Sequence, residues 1–555
     1  MVAVIRYLYV VDRTAVSLSP DEFASLGIAR FLSGGEFNML VASTYRPLPG
    51  AMLVPWTLLL DDPELIVRFG LATNAVVAGA TMFVLVPLLA RLTNFDRGGV
   101  LVVSGVIAVL PASLEATAHL WAEPMVTLTF LGSLAAMLRF VEHPAMGPLL
   151  SSIGWSVVGF TSHGRLLPFA VLIGLLAVVW SLAQGHRGLA SCAAVTAVLG
   201  LAISALIQRW IVSEVWELPG SRNSSGAIWD RLGDPVEVLD AAAGQIWYQL
   251  AASALVVGFG VVELARRASD KVDAARRRDA LVVLGLTVPL AIVSFVFMSD
   301  VSRADHVLYG RYTDAVVWPV LGVGASWMFF DHSTMTRRRR RFAVAALIAV
   351  LADLALLVHQ LHSEQVGRRG VTAMIAGILW LTNDGRVHVL WVTAFTLAVA
   401  GVLYSAARAR QTDRRIWAAV IVMMVLAAGV RTWTVQRSDA ETSVVGRGAR
   451  AVLDAPGRPP LGTEIGVVLT PNDYGPSIIR SAQIFSALSL QYYLPEYRFV
   501  FDNGPSDDVG PYVFAVNNDA LLTRDGGTIL WTHPDFPISL WLEPPRDESE
   551  SGSDG

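Results

Sequence analysis

Long apolar runs, punctuated by short arginine-rich loops, constrain this chain more than any other feature. Runs at 69–90, 98–114, 124–140, 188–208, 247–264, 280–298, 315–330, 342–358, 388–407 and 416–432 each approach the roughly 20 apolar residues that a helix needs to cross a bilayer. A further run at 150–183 is interrupted by "TSHGR", which predicts two short spans with a polar tip. The opening "MVAVIRYLYVVDRTAVSLSP" reads as the second half of a span, either a short first helix or a start placed too late. Composition agrees: only 16% of the 555 residues are charged, where a soluble chain carries about a quarter. The lone Cys192 excludes an intrachain disulfide and a cysteine-based metal site. No pattern of a cleavable signal peptide is present.

Basic residues in short loops favour the cytoplasm. The clusters are "ARRASDKVDAARRR" near 265–278, "RRRRR" at 337–341 and "ARARQTDRR" at 407–415. Each lies an even number of spans from the next, so all three fit on one side. This parity puts 300–314, 359–387 and everything after about 433 outside. Counting backward adds 17–67, 115–123, the "SHGR" tip and 213–246 to the outer face. The expectation is an all-α polytopic membrane protein of about thirteen transmembrane helices in the plasma membrane, with a cytoplasmic N-terminus. The arginine runs read as topology determinants that meet anionic lipid, and no nucleic acid partner is expected.

After Arg431 the chain turns polar and rich in Pro, Gly and Asp. "EIGVVLT", "YRFVFD" and "YVFAVN" read as strands, and "PSIIRSAQIFSALSLQYYL" as an amphipathic helix between the first two. This predicts a multi-span domain over 1–435 and a small extracytoplasmic α/β C-terminal domain over 436–545. The acidic tail 546–555 lacks apolar residues, which predicts disorder.

Polar side chains beside spans are costly and point to function, and in this topology they gather on the outer side. Asp21 and Glu22 open an outer helix. Ser19 and Glu22 also make an S-x-x-E capping box, with Pro20 at the first helical position. A capped helix start would be a rigid mount for a carboxylate. Tyr45 and Arg46 lie in the Pro-interrupted "STYRPLPGAMLVPW" and could face a sugar or a phosphate. In "LEATAHLWAEP", Glu115, His119 and Glu123 are four apart, so one helical face could carry all three toward a divalent cation. His163 and Arg165 sit in the "SHGR" tip, where a guanidinium fork suits a lipid phosphate. In "RADHVLYGRYTD", Arg311 lies between Tyr309 and Tyr312 after Gly310, a setting for phosphate, while Asp305 and His306 could take sugar hydroxyls or a second phosphate oxygen. The Tyr45–Arg46 and "RADHVLYGRYTD" stretches also suit a Tyr- and Arg-rich interfacial belt, "LEATAHLWAEP" a solvated helix end, and the "SHGR" tip snorkelling to the interface. Asp353, inside an apolar run, is expected only to pair with another helix.

Taken together, "SPDEFASLGIARFLSGGEF…YRPLPGAML", "LPASLEATAHLWAEPMVTLTFLGSLAAML", "GWSVVGFTSHGRLLPFAVLIGLL" and "YGRYTDAVVWPVLGVGA" resemble the GT-C-type integral membrane glycosyltransferases. That superfamily includes protein O-mannosyltransferases, lipid A aminoarabinose transferases and actinobacterial arabinofuranosyl- and mannosyltransferases. The resemblance covers roughly residues 15–330 and departs from the pattern in the short first span. It implies a polyprenyl-phosphate-linked sugar donor and transfer on the outer face, usually with inversion, to a cell-envelope glycan, glycolipid or protein. Carried over by position, Asp21 would be the general base or anchor for the acceptor hydroxyl, with Glu22 in support. Arg165 and Arg311 would neutralise the leaving phosphate, assisted by His163, His306 and Tyr309. Tyr45, Arg46, Glu123, Asp305 and Tyr312 would line the sugar and acceptor. The residues establish no cofactor; a divalent cation at Glu115, His119 and Glu123 is the candidate they offer. High Ala, Val and Arg with little Lys tilt the sugar toward arabinose or mannose.

Two other classes compete. A lipid-linked sugar flippase or transporter needs polar groups through the membrane depth, whereas here they gather on one side. A non-catalytic envelope assembly protein would work through its outer domain. The orientation itself has a direct test. An impermeant thiol reagent applied from outside should label a cysteine introduced at 305–312 and should leave one at 337–341 unlabelled; the reverse pattern would overturn the topology.

Overall fold

The computed structural model describes residues 1–13, 16, 19–40, 44–216, 230–299, 307–330, 335–362, 375–378, 381, 387–406, 428–430, 459–460, 463–469, 488, 490–495, 497–502, 512–516, 528–532 and 538–542. Among them, five helices are long and apolar enough to span a membrane: Pro63–Leu92, Glu123–Glu142, Gly164–Ala183, Arg187–Val215 and Ala274–Phe297. Shorter apolar helices include Arg97–Ala108, Val344–His359 and Val389–Ser405. The chain is therefore built as a helical, multi-pass membrane protein. The expected run 416–432 falls mostly outside the described residues, as do the "ARARQTDRR" loop and the acidic tail.

Local chemistry sets several boundaries. Pro63 starts its helix behind Asp62, whose carboxylate accepts from the Glu64 amide at 2.9 Å. The "TSHGR" interruption does divide two helices, Met146–Ser162 and Leu167–Ala183, with a short 3-10 turn at Gly164–Leu166. Asp353 finds its partner in the apolar interior, where the Thr393 hydroxyl donates to it at 2.9 Å and Trp247 donates to that hydroxyl at 2.9 Å.

The run 247–264, expected as one span, is two helices, Pro235–Ala252 and Val256–Ala268, bent by 107°. No Gly or Pro marks the break. The turn is made by Ala254 at φ 46° and Leu255 at φ 67°, both left-handed, with the Leu255 amide donating back to the Leu250 carbonyl at 2.8 Å. What holds it is packing: Leu255 is fully buried with Leu250, Phe259, Trp327 and Met328. Past the break, the Val256–Ala268 helix lies close against Trp318–Phe330. A Cβ on Gly260 would meet the Val320 carbonyl, and one on Gly324 the Val256 carbonyl. Small residues at such crossings let membrane helices approach backbone to backbone.

Toward the C-terminus, five strands form one mixed sheet in the order β2-β1-β3-β5-β4. They are β1 Glu464–Leu469, β2 Arg498–Asp502, β3 Tyr512–Val516, β4 Thr528–Thr532 and β5 Ile538–Leu542. β1 runs parallel to β2 and β3, and β5 is antiparallel to β3 and β4. The parallel β1–β2 pair needs a crossover, and the helical residues 488 and 490–493 lie in it. β4 and β5 were not anticipated. Both boundaries expected for the C-terminal domain lie outside the described residues.

The strained bend gives a test. Ala254→Gly removes the Cβ that disfavours a left-handed residue, which costs roughly 1–2 kcal/mol. The variant is expected to melt at a higher temperature than wild type in detergent; an unchanged or lower melting temperature would show that the bend carries no strain.

Candidate active site

Asp21 and Glu22 open the Pro20–Leu32 helix, and Ser19 occupies its N-cap without a side-chain cap bond. The expected capping box does not form, because Glu22 is drawn inward. Its Oε1 accepts from the Leu120 amide at 2.9 Å, and both oxygens accept from Arg13 Nη2 at 3.2 and 3.3 Å. His119 Nδ1 lies 3.2 Å from the same Oε1. Ser19 Oγ instead accepts from the Trp121 indole at 3.3 Å. Successive helical residues point about 100° apart, so Asp21 and Glu22 face different surroundings.

Asp21 faces Arg311, whose Nη1 pairs with its Oδ2. The same guanidinium grips Glu123 with two parallel bonds, Nε to Oε1 at 2.7 Å and Nη2 to Oε2 at 3.0 Å. Its face lies 3.7 Å over the Trp121 ring. One buried cation thus joins the outer helix, the start of the Glu123–Glu142 span and the "YGRY" turn. Gly310 makes this approach possible, since a Cβ there would collide with the Tyr248 ring.

The expectation of one helical face through Glu115, His119 and Glu123 fails. Helix Pro111–Glu115 ends at Glu115, turns and bends follow, and the next helix begins at Glu123 beside Pro124. Glu123 goes to Arg311, whereas His119 Nε2 sits 2.6 Å from Glu115 Oε1 and Tyr9 donates to Glu115 Oε2 at 3.2 Å. Among the described residues no group of three His, Cys, Asp or Glu side chains is arranged for a metal ion.

The donor-rich side of the site comes from the other stretches. Arg165 Nη1 reaches Glu123 Oε1 at 3.4 Å, and its guanidinium stacks 4.3 Å over Tyr312. Its Nε and Nη2 are buried without a hydrogen-bond partner, as is Nη1 of Arg46, which stacks 3.8 Å over Phe160. Arg46 Nε also lies 3.7 Å from a Cβ built on Gly164, beside the Arg165 turn. Buried donors left open in this way are rare and call for an absent acceptor. His163 Nδ1 accepts from the Arg165 amide at 3.2 Å. Burial and the Arg165 guanidinium hold its imidazole well below the usual range, so it is a neutral ring with the proton on Nε2. Tyr309 and Tyr312 meet edge to face at 4.7 Å. Burial pushes the Tyr309 and Tyr312 phenols up, and burial with the Asp21 carboxylate does the same to Tyr45. All three are neutral hydroxyl donors at physiological pH.

The structure therefore gathers Asp21, Tyr45, Arg46, Glu123, His163, Arg165, Tyr309, Arg311 and Tyr312 into one site, with Glu22 directly behind it. Asp305 and His306 lie outside the described residues. No protein-family model and no curated protein sequence matches the chain. Solved structures do. ArnT from Cupriavidus metallidurans bound to undecaprenyl phosphate superposes with a TM-score of 0.55 at 15% identity, covering 98% of each chain. The apo form of ArnT gives 0.54 at 13% identity, covering 98% of this chain and 97% of that one. The arabinosyltransferase EmbB from Mycobacterium smegmatis matches over 80% of this chain and 40% of its own, at 14% identity and a TM-score of 0.46. The chain shares the ArnT fold.

Within this fold, sequence patterning missed a layer behind the site. Arg13 donates to Glu22 and its Nη1 lies 3.1 Å from His119 Nδ1, and nothing in its local sequence marked it. Trp121 carries His119 stacked at 3.8 Å as well as Arg311. Asp314 was also overlooked. It accepts from Tyr248 at 2.9 Å and from Gln249 at 2.6 Å, and it lines a cavity of about 30 Å³ with Arg6, Trp121, Glu123, Arg311 and Trp318. That is room for one or two waters. An acid at the start of a helix-like turn is a common cap, so position alone gave no signal.

Burial pushes the Asp314 carboxyl up to about 7, against the pull of its Gln249 and Tyr248 bonds. The folded value lies above the unfolded one, so stability from this group is full in acid and falls as pH rises through about 7. The melting temperature of wild type is expected to drop between about pH 4 and about pH 7 and to level off above, and Asp314→Asn to flatten that drop. An equal drop in both proteins would assign it elsewhere.

Proposed function

We propose that this chain is a membrane glycosyltransferase. It takes a sugar from a polyprenyl-phosphate carrier and transfers it to a cell-envelope glycan, glycolipid or protein at the outer face. One observation carries the reading: three guanidiniums, Arg46, Arg165 and Arg311, meet two carboxylates, Asp21 and Glu123, and the open N–H donors belong to Arg46 and Arg165. The surplus positive charge and the free donors suit an anion with several acceptor oxygens, and a phosphodiester has that chemistry. Undecaprenyl phosphate is bound by ArnT, which supports a lipid phosphate as that anion here.

In this reading the roles divide more finely than the sequence suggested. Arg46 joins Arg165 as a phosphate ligand, and Arg311 acts mainly by orienting Asp21 and Glu123. The acceptor hydroxyl gives its proton to the Asp21 carboxylate as its oxygen attacks the anomeric carbon. The bond from that carbon to the phosphate oxygen breaks, and the leaving phosphate takes the electron pair against Arg46 and Arg165. A nearby carboxylate also favours the oxocarbenium-like charge on the sugar. Neutral Tyr45, Tyr309 and Tyr312 offer hydroxyls, and His163 one N–H, without adding charge. Glu22 is a positioning residue, since its oxygens already serve Arg13, His119 and Leu120.

The test uses purified full-length chain, undecaprenyl phosphate as binding probe, and polyprenyl-phosphate-linked arabinose and mannose as donors with envelope extract as acceptor. Asp21→Asn is expected to slow transfer about 100-fold or more while probe binding stays near wild type. Arg165→Ala is expected to weaken probe binding by roughly 10-fold to 100-fold, the loss of charged hydrogen bonds. Transfer at the wild-type rate by a folded Asp21→Asn protein would sink the assignment.

A further inference from the structure

The helical residues 488 and 490–493 of the β1–β2 crossover pack directly on the helix that carries Asp21. Leu488, Leu490, Tyr492, Tyr493 and Leu494 share one buried cluster with Phe23, Ala24, Leu26 and Ile28 of that helix. The polar contacts are specific. The Gln491 side-chain amide makes a two-way pair with the Asn38 backbone, accepting from its N–H at 2.9 Å and donating to its carbonyl at 3.0 Å. Arg30 spans the end of the segment, with Nη1 on the Gln491 carbonyl at 2.6 Å and Nη2 on the Pro495 carbonyl at 2.8 Å. Tyr492 donates to the Pro63 carbonyl at 2.7 Å, at the start of the next span.

From these contacts we infer that the C-terminal region is a positioning element for Asp21. Gln491 and Arg30 act through the Pro20–Leu32 helix on the geometry of transfer; this rests on the function proposed above. Below, that helix is tied through Glu22 and Arg311 to the spans. Above, the Gln491 and Arg30 bonds act together with the Phe31–Trp210 ring contact and the Ser33–Thr57 hydroxyl pair to fix its far end and the turn that follows. The helix is short enough to behave as a lever. Tilting Leu32 moves Asp21 against Arg311, and a displacement of about 1 Å at a reacting group can cost on the order of 100-fold in rate. Gln491 is itself 5% exposed, with both amide functions used, as expected for a residue selected for register and not for solubility.

The experiment compares Gln491→Ala, Arg30→Ala and the conservative Arg30→Lys in the full chain. Readouts are undecaprenyl phosphate binding, transfer rate, and hydrogen exchange of amides in 20–32. The expected result for both alanine variants is unchanged probe binding, transfer slowed about 10-fold or more, and faster exchange confined to 20–32, with Arg30→Lys recovering part of the rate. In combination with Asp21→Asn, Gln491→Ala should add no further loss, because both changes act on one group. Faster exchange with an undiminished rate, or no change in either, would overturn the inference. So would weakened probe binding, which marks a general loss of structure, or a second, independent loss on top of Asp21→Asn. Failure of the proposed function is a separate result, read from Asp21→Asn alone.

Discussion

The Arg311 guanidinium is the interaction on which the rest depends. Its planar fork holds Glu123 with two bonds, its third nitrogen holds Asp21, and its face rests on Trp121. Lysine could not do this, because a point charge on a flexible stem has neither fork nor face. The three contacts come from an outer helix, a span and a turn between helices that are distant in sequence. Removing either carboxylate leaves a buried cation short of a partner, a loss of about 3–5 kcal/mol when such a pair is broken. The fold and the site are therefore stabilised by the same charges.

The acidic pair at the start of the outer helix divides its work by geometry. Asp21 turns to the guanidiniums, while Glu22 turns to Arg13, His119 and the Leu120 amide. The His119 ring, fixed between Glu22 and Glu115, stacks on Trp121, whose ring also carries Arg311. Glu22 thus supports Asp21 twice, through the shared helix and through the stack under Arg311. Two adjacent carboxylates do not share one setting here; in the proposed transfer one faces the chemistry and the other fixes the mount.

Much of this was legible in residue types. Apolar runs revealed the helices, and the parity of basic loops drew Asp21, "SHGR" and "YGRY" to one side before any geometry was known. What escaped was tertiary. The bend at Ala254 and Leu255 has no Gly or Pro to announce it, because buried Leu255 and its neighbours hold the strained turn. The i, i+4 spacing of Glu115, His119 and Glu123 suggested a metal face, but that inference needed a helix, and the chain breaks after Glu115. Arg46 could be proposed for sugar or phosphate alike. Its Nη1 is open while its Nε lies beside Gly164, which favours phosphate, and no spacing rule could have given that.

Charge balance links the architecture to the chemistry. The phenols of Tyr45, Tyr309 and Tyr312 and the His163 ring are all held neutral by burial. Among the nine gathered residues, formal charge therefore resides on three guanidiniums and two carboxylates, one positive unit in excess, with Arg6 and Asp314 beside them in the adjoining cavity. A phosphodiester donor carries one negative charge and would bring the site to neutrality. As the sugar departs, the phosphate gains charge, and the need for donors grows at the oxygen that is leaving. The N–H groups still open on Arg165 and Arg46 are available for that moment, whereas those of Arg311 are already committed to carboxylates. Interactions that strengthen only as the bond breaks are the ones that accelerate a reaction. In the proposed transfer, Arg311 therefore stabilises the ground-state arrangement, and Arg165 and Arg46 stabilise the departure.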